Sequence, residues 1–293
     1  MTIEFSTPFT AFGVGRRPGS ELAEMVQFLG PGLTDHRGLI ELPALAVLFD
    51  DIGGLPFFFS GPGATVQARM SMSMLDRPRV DEELDAVAEL VMSDAGYGAA
   101  AVRVTGDEGR PLCFGSARNV RVARELVVEG DHMQLPEPTA PAGTPATPDP
   151  AKPGSEVIDG MVRAWTSLGP LGELLGGALD HAHDGNVLFL CTTAGWMSNI
   201  MGTMHGGVIA AVVAQGLSYA AQATTPAGVD YQLLDFTVAF HRSPIVDGRT
   251  ITVRTRPVKV GRRLGVFAAE LYDGEVLLAS GSADVRFDAV DAG

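Results

Sequence analysis

The sequence predicts an α+β fold made of two similar modules in tandem, each a central helix followed by an antiparallel sheet. Three observations predict it: one residue pattern occurs twice, a Pro-rich stretch separates the copies, and each copy has an apolar segment followed by runs of alternating apolar and polar residues. With 293 residues, 46% of them hydrophobic, the chain is long enough for about two domains.

The internal repeat is clearest near the start of each copy. Four positions align without a gap and at one constant offset: Asp35 with Asn199, Gly38 with Gly202, Glu41 with His205, and Asp50 with Ala214. Further along, residues 70–78 align with residues 236–244, at an offset two residues larger. The repeat therefore covers most of the chain.

The domain boundaries follow from a stretch that is too rich in proline to enter a core. Seven prolines lie between Leu135 and Gly154, alternating with Ala, Thr and Glu. This composition predicts an extended linker over residues 131–155, between an N-terminal domain of residues 1–130 and a C-terminal domain of residues 156–293.

Each copy predicts the same order of elements. Leading helices are predicted at 20–29 and 158–175, and central helices at 42–51 and 206–223, from the spacing of their apolar residues. Alternating patterns predict strands at 69–75, 99–104 and 111–122 in the first copy, and at 236–241, 250–256, 264–271 and 276–287 in the second. Asp273-Gly274 is typical of a tight hairpin turn.

The composition excludes several classes of function. A formal net charge of −14 argues against sequence-independent binding of nucleic acid. Cys113 and Cys191 have no CxxC partner, which indicates neither a zinc site nor a disulfide framework and fits a reducing compartment. Residues 1–17 lack a secretory signal pattern, and the apolar stretch 206–223 is interrupted by polar residues. We therefore expect a cytoplasmic protein without a membrane or nucleic-acid partner.

Three runs in the second copy carry a resemblance to a known family. They are Asn199 to Ala210, which includes His205-Gly206-Gly207, then Phe236 to Pro244, and Val260 to Arg263. Over residues 185–288 they resemble the PaaI-like acyl-CoA thioesterases, which have the hotdog fold. Through the repeat, the first half has a weaker resemblance. The resemblance implies two tandem hotdog domains that form a pseudo-dimer within one chain.

The paired glycines also have a physical interpretation. Glycines at a helix start let a ligand approach the backbone, and the free N–H groups with the helix dipole can stabilise an oxyanion. A thioester carbonyl that becomes tetrahedral needs such donors. Alternatively, Gly206 and Gly207 only permit close helix packing, and His205 is only a cap residue. We expect His205 to orient other groups rather than to transfer protons.

The resemblance implies a second catalytic element, an acid on the central helix of the opposite subunit that acts as general base or nucleophile. The matching position is Ala214 in the second copy and Asp50 in the first. Because the second copy keeps Asn199 and His205 to Gly207, the two copies together imply one composite site. There Asp50 would act on the thioester, Gly206 N–H would hold the oxyanion, and Asn199 would position water or substrate.

The second pseudo-site would be inactive. In the first copy the oxyanion turn is replaced by Glu41-Leu42-Pro43, and proline has no N–H to donate.

Asp50 also has alternative interpretations. The run from Asp50 to Gly54 is typical of a polar stop to an apolar helix followed by a turn. Asp51, which aligns with Gln215, competes for the role of the acid. Family members often carry a hydroxyl on the next strand, and the region of Thr65, Gln67 and Ala68 leaves that element unassigned.

Lys259, Arg262 and Arg263 form the densest basic cluster and are predicted to bind the phosphates of coenzyme A. The alternative is an ordinary solvated hairpin. Coenzyme A is part of the substrate, and we expect no metal and no separate cofactor.

The favoured function is hydrolysis of an acyl-CoA thioester, with homo-oligomers of the chain expected. A non-catalytic acyl-CoA sensor is the main alternative, and a hotdog hydratase or a scaffold is a weaker one. Candidate residues for an apolar acyl pocket, which are equally compatible with a core, are Met70, Met72, Met74, Phe57, Phe58, Phe59 and Trp196.

Overall fold

A computed structural model of the chain describes residues 5–21, 23–124, 133–137, 148–183 and 185–289. Much of the predicted linker 131–155, namely residues 131–132 and 138–147, lies outside the described residues. The boundaries of the two domains therefore stay predictions.

The two halves contain the same succession of elements. The N-terminal half contains α1 (Pro8–Phe12), β1 (Val14–Gly15), β2 (Glu24–Phe28), α2 (Ala46–Phe59), β3 (Ala64–Met74), β4 (Glu83–Ser93), β5 (Tyr97–Thr105) and β6 (Pro111–Val122). The C-terminal half contains α3 (Gly154–Val162), α4 (Pro170–Leu174), β7 (Gly177–His183), β8 (Asn186–Thr192), α5 (Gly206–Thr224), β9 (Val229–Phe240), β10 (Thr250–Val260), β11 (Leu264–Asp273) and β12 (Val276–Ala289).

All the strands form one antiparallel, 12-stranded sheet in the order β1-β2-β4-β5-β6-β3-β9-β12-β11-β10-β8-β7. Each half supplies six neighbouring strands, and the second half repeats the order of the first in reverse. The halves join where β3 pairs with β9, at the cross-strand pair of Ser71 and Thr237. These two residues occupy the same position in the sequence repeat, and their hydroxyl oxygens are 3.0 Å apart. A pseudo-twofold axis therefore passes through this pair.

The core lies between the sheet and the two central helices. α5 is buried from Gly207 to Gln222, and α2 packs against it and against the strands of the first half. Leu42–Phe59 has the length and hydropathy of a membrane span, but 72% of it is buried inside the protein. Burial on this scale is what the core helix of a two-layer fold requires.

Both central helices are where the sequence predicts them, but the bounds of the first one differ. The helix predicted at 206–223 is confirmed by α5. The helix predicted at 42–51 begins later, because Leu42–Leu45 form a 3₁₀ turn, and it continues to Phe59 through Pro56. The interpretation of Asp50 to Gly54 as a helix stop is therefore wrong.

The leading segments differ more from the prediction. The helix predicted at 20–29 is wrong, because Glu24–Phe28 pair with β4 as a strand and bury Met25 and Val26. The helix predicted at 158–175 is divided into α3 and α4. Gly169 separates them at a φ of +84°, where a Cβ would lie 2.2 Å from the backbone nitrogen of His36.

Every predicted strand is present, but five others were missed. β1, β2, β7 and β8 come from segments for which the sequence predicted no strand, and β2 lies where a helix was predicted. β4 was overlooked, although its first residues alternate between buried and exposed. Whether these segments form strands depends on the strands with which they pair, and the local sequence carries little information about that pairing.

Candidate active site

The loop before α5 is closed by the side chain of Asn199. Its Oδ1 accepts the N–H groups of Met201 at 2.9 Å and Thr203 at 3.1 Å, and its Nδ2 donates to the Thr203 hydroxyl at 3.2 Å. These bonds fix the loop that leads into the helix. Asn199 also lines the cleft described below, so a direct contact with substrate stays a prediction.

The first half has the same turn at the aligned position. Asp35 Oδ1 accepts the N–H groups of Arg37 at 2.8 Å and Leu39 at 3.2 Å. Gly38 and Gly202 both have a φ of +76°, which glycine adopts without strain. The alignment of the two copies therefore holds for the backbone geometry as well as for the sequence.

The N-terminus of α5 is capped by His205, whose Nδ1 accepts the N–H of Gly207 at 3.0 Å. Among the described residues no acceptor lies on the N–H of Gly206. The other half of the chain approaches this turn closely. A Cβ on Gly207 would lie 2.6 Å from the Cα of Val47, and a Cβ on Gly206 would lie 2.8 Å from Asp50 Oδ2. Gly207 is thus required by close packing against a backbone, whereas Gly206 lies against the Asp50 side chain and leaves its N–H free.

Asp50 of α2 lies directly against this helix start. Its Oδ2 accepts the N–H of Gly207 at 2.6 Å, and its Oδ1 is buried without a hydrogen-bond partner among the described residues. His205 Nδ1 is 3.3 Å from Asp50 Oδ2, and His205 Nε2 is 3.2 Å from Asp51 Oδ1. The structure therefore brings Asp50 of one half together with His205, Gly206 and Gly207 of the other.

The charges of this cluster depend on one another. Burial raises the pKa of Asp50 to about 7, against the lowering effect of His205 and with a smaller raising effect of Asp51. Burial lowers the pKa of His205, but the two carboxylates outweigh it and raise the value to about 9. The raised pKa of His205 favours the protonated ring, in which Nδ1 donates to Asp50 Oδ2 and the Gly207 N–H is left to that same carboxylate. Nδ1 accepts the Gly207 N–H only when the ring is neutral, and in either state Asp50 is a buried carboxyl group with a raised pKa. A carboxyl group tuned in this way is common at catalytic sites.

Two amide side chains hold the helix that carries Asp50. Gln67 Nε2 donates to the carbonyl of Asp50, and Asn119 Nδ2 donates to the carbonyl of Gly53 at 2.9 Å. Pro56 has no N–H for the carbonyl four residues before it, so this stretch of α2 benefits from outside partners. The sequence analysis left Gln67 unassigned and missed Asn119. The signal that could have indicated Asn119 is an amide side chain inside the predicted strand 111–122.

The cluster opens into a cleft of about 170 Å³ between the halves. Besides Asp50, Asp51, His205 and Gly206, its wall is mainly apolar or uncharged, and includes Leu55, Phe58, Thr65, Val66, Gln67, Asn119, Met133, Ile200, Met201, Phe240 and Ser243. Of the residues proposed for an acyl pocket, only Phe58 lines it. Met70, Met72 and Met74 are buried in the core, as the alternative interpretation holds.

The ligand atoms of Asp50, Asp51 and His205 lie within 4.8 Å of one another, close enough to hold a metal ion. The expected absence of a metal stays an expectation.

The predicted phosphate-binding cluster is not brought to this cleft. Lys259, Arg262 and Arg263 are exposed at the turn between β10 and β11. The register from β11 through β12 places this turn beside Gln232 on β9, whereas the cleft residue Phe240 ends that strand. At about 3.3 Å per residue the two levels are roughly 25 Å apart. The placement fits the solvated-hairpin interpretation.

The aligned position in the other half is filled by an ion-pair network. Glu41, which replaces His205, is buried and accepts from Arg37 at 2.8 Å and from Arg77 at 2.7 Å. Both arginines also bind Asp230 of the C-terminal half, and Arg37 stacks on the ring of Tyr231 at 3.6 Å. Glu41 and Ala214 thus stand where the composite cluster has His205 and Asp50, and the prediction of one composite site stays a prediction.

Comparisons with known proteins agree with this architecture. Residues 201–280 match the family model of the thioesterase superfamily, which confirms the resemblance in the C-terminal half. The comparison with curated proteins gave no match.

Solved structures match nearly the whole chain. A hot dog protein of unknown function from Alicyclobacillus acidocaldarius has a TM-score of 0.61 at 14% identity, over 96% of this chain and 98% of its own. The chain has a double hotdog fold. A proposed thioesterase from Novosphingobium aromaticivorans DSM 12444 has a TM-score of 0.63 at 14% identity, over 94% of this chain and 98% of its own. The tesB protein of Mycobacterium avium subs paratuberculosis has a TM-score of 0.62 at 10% identity, over 95% of this chain and 96% of its own.

In this double hotdog the two central helices are α2 and α5, and they contact each other across the pseudo-twofold axis. The cluster of Asp50, Asp51 and His205 lies at that contact. A single isolated hotdog half would therefore lack either the carboxylates or the helix start.

Proposed function

We propose that the protein hydrolyses thioesters at the composite cluster, with acyl-CoA as the substrate class. One observation carries the proposal. The buried Asp50 carboxylate has an unpartnered oxygen beside the free N–H of Gly206, at the start of a helix from the other half. An acid and an oxyanion donor on the same cleft are the two elements that acyl transfer to water requires.

The reaction proposed here uses these groups in turn. The thioester carbonyl oxygen accepts the Gly206 N–H, and the dipole of α5 stabilises the negative charge that develops there. Asp50 takes a proton from water, whose oxygen bonds to the acyl carbon as the carbon–sulfur bond breaks. The proton then passes to the departing thiolate, giving a free acid and a thiol. Direct attack by Asp50 through an anhydride is the alternative route.

The choice of acyl-CoA rests on the resemblance of the sequence and on the nature of the cleft. Its wall offers apolar contacts to an acyl chain, with the charged groups confined to the cluster. For the phosphates we propose Arg242, which is exposed and adjacent to the cleft residue Ser243, in place of the distant basic cluster.

A hydratase is less consistent with this geometry. The hotdog hydratases and dehydratases use an Asp and a His on one catalytic stretch, with the histidine free to exchange a proton with the substrate. Both ring nitrogens of His205 are engaged, Nδ1 with the Gly207 N–H and Nε2 with Asp51. His205 is therefore placed to orient and to carry charge, as the sequence analysis expects.

The test is release of free thiol from a panel of short, long and aromatic acyl-CoAs by the purified full chain. We expect turnover of at least one class, with binding of the same class measured by calorimetry. Binding without turnover would overturn the hydrolytic function and favour the acyl-CoA sensor. Consumption of an enoyl-CoA without release of thiol would indicate a hydratase.

A matched pair of glycine variants separates the catalytic effect from the packing effect. In Gly206→Ala the three atoms nearest to the new methyl group all belong to the Asp50 carboxyl group, with its oxygens at 2.8–2.9 Å, so that side chain must move. We expect kcat/KM to fall about 10²-fold, as for a displaced catalytic group, while Tm stays within about 2 °C.

In Gly207→Ala the methyl group meets the Val47 backbone at 2.6 Å, which cannot rotate away. We expect a loss of about 1–3 kcal/mol and a Tm lower by several degrees. Calorimetry and thiol release on both variants check the pair. Equal losses of Tm in the two variants would contradict the assignment.

A further inference from the structure

The contact between Asp51 and His205 is not explained by the reaction described above. Asp51 follows Asp50 on α2, and its side chain is 16% exposed. Its Oδ1 lies 3.2 Å from His205 Nε2, and its Oδ2 has no hydrogen-bond partner among the described residues. On the other side of the ring, Nδ1 faces Gly207 N–H and Asp50 Oδ2. One histidine thus connects two consecutive carboxylates.

We propose that Asp51 is a positioning residue, which holds the His205 ring by its Nε2 proton and keeps Nδ1 directed at Asp50, so that a protonated ring stands beside the reacting carboxylate. The proposal rests on the proposed thioester hydrolysis, because it assigns Asp51 a role in that reaction. It also resolves the competition between the two acids: Asp50 reacts, and Asp51 acts through His205.

The geometry leaves no other group for this task. His205 is contacted by α2 through the two carboxylates, by the first turn of α5 through a backbone N–H, and by α1 through the ring of Phe9 at 6.0 Å. Among the described residues of the cleft wall, β3 and β6 offer the amides of Gln67 and Asn119 but no charge. Asp51 is the hydrogen-bond partner of Nε2, so its loss frees the ring to rotate.

Asp51 affects Asp50 in two opposite ways. Its own negative charge raises the pKa of Asp50, whereas the imidazolium that it stabilises lowers that pKa more strongly. Burial alone would lower the pKa of His205, and the contact with Asp51 is the main effect that raises it. Without Asp51 we expect His205 to lose its proton near neutral pH. Asp50 then remains buried but has no cation beside it, so its pKa rises and it becomes protonated.

The decayed half supports treating the three residues as a unit. There Ala214 occupies the position of Asp50, Gln215 that of Asp51, and Glu41 that of His205. The second pseudo-site therefore keeps none of the three residues, and it has no carboxylate and histidine pair of this kind.

The first test measures His205 without reference to activity. The chain has six histidines, so the side-chain ¹⁵N signals of histidine-labelled protein are few, and His205→Gln identifies the signal of interest. In Asp51→Asn we expect the His205 titration to move down by at least about one pH unit. Asp159→Asn, at an exposed position of α3, is the control and should leave it unchanged.

The second test is the pH profile of kcat/KM for the same variants. In Asp51→Asn the acidic limb should move up by about one pH unit, with about 10-fold lower kcat/KM at neutral pH and recovery in alkaline buffer. A loss equal at every pH would show a structural role only, and complete loss at every pH would make Asp51 the reacting acid. Either result, or a His205 titration that does not move, overturns the proposal.

The two proposals fail in different ways. If the wild type releases no thiol, hydrolysis fails, and the titrations of His205 and of the ¹³C-labelled Asp50 carboxyl group still decide whether Asp51 controls the pair. An Asp50 titration that rises in Asp51→Asn supports the link, and one that falls or stays constant overturns it.

Discussion

Replacing Asp50 by asparagine is expected to lower kcat/KM about 10³-fold, which corresponds to about 4 kcal/mol of transition-state stabilisation. Asparagine has nearly the same size, and its carbonyl oxygen can still accept the Gly207 N–H that Asp50 accepts at 2.6 Å. It can neither take a proton from water nor form an anhydride. The substitution therefore removes the chemistry and keeps the packing. Thiol release under single-substrate conditions measures the effect.

The stability of the same variant provides an independent check of the Asp50 environment. The pKa of Asp50 is raised to about 7, so its protonated form is the one that favours folding. That contribution is fully present below the pKa of the unfolded chain and is lost as pH rises through about 7. We expect Asp50→Asn to gain Tm relative to the wild type as pH rises from about 4 to about 7, with no further change above that. A difference in Tm that does not change with pH would contradict the buried, tuned carboxyl group.

Two other Asp→Asn variants show whether the loss of activity is specific to Asp50. Asp159→Asn removes an exposed carboxylate from α3 and should leave activity unchanged. Asp51→Asn should keep measurable turnover in alkaline buffer. If Asp50→Asn stays active while Asp51→Asn is inactive at every pH, the reacting acid is the second of the two.

The pairing of Asp50 with the start of α5 could be predicted because the resembled family implies an acid on the central helix of the opposite subunit, and the gap-free repeat maps that position onto Asp50. Two copies that lose complementary residues can share one site only if the halves pack as a dimer does. The turns at Asp35 and Asn199 then have to match in space, and they do. Helix α5 was also predictable, since an apolar run of this length between glycines and a strand has few other structures.

The rest of the site depends on contacts distant in sequence. Gln67 and Asn119 bind carbonyl groups of α2 from β3 and β6, and no local pattern indicates that. The basic cluster shows a related limit. Sequence order places Arg262 close to the family motif, but strand register places it at the other end of the sheet. The β4–β5 hairpin lies closer to the cleft, because Gly98 of β5 pairs with the cleft residue Asn119.

The replacement Arg37→Met is expected to destabilise the fold by about 3–5 kcal/mol, the largest effect we predict on stability. Arg37 is 10% exposed and binds Asp35, Glu41 and Asp230, while its guanidinium stacks on Tyr231. Methionine fills much of the same space but leaves Asp35 and Glu41 buried with fewer cations. At about 2–4 °C per kcal/mol, Tm should fall on the order of 10 °C.

A surface arginine in an ion pair is the matched control, because it shows how much stability the loss of an exposed pair costs. Arg79 pairs with Asp107 at the surface. The Arg79 side chain is 58% exposed and the Asp107 side chain is 50% exposed. Because water screens such pairs, Arg79→Met should cost less than about 1 kcal/mol. Equal losses in the two variants would show that burial of the network contributes nothing.

The pH dependence of this variant follows from the carboxylates that lose their partner. Burial raises the pKa of Asp35, but Arg37 and His36 outweigh it and hold the value below its usual range. The stability from this pairing is present above the unfolded pKa and is lost as pH falls through the folded one. In Arg37→Met the carboxyl groups protonate more easily, so the difference in stability from the wild type should narrow as pH falls to about 4, the usual pKa of a carboxyl group, and below. Asp230 and Tyr231 belong to the C-terminal half, so the loss of stability in Arg37→Met also measures how strongly this network joins the two halves.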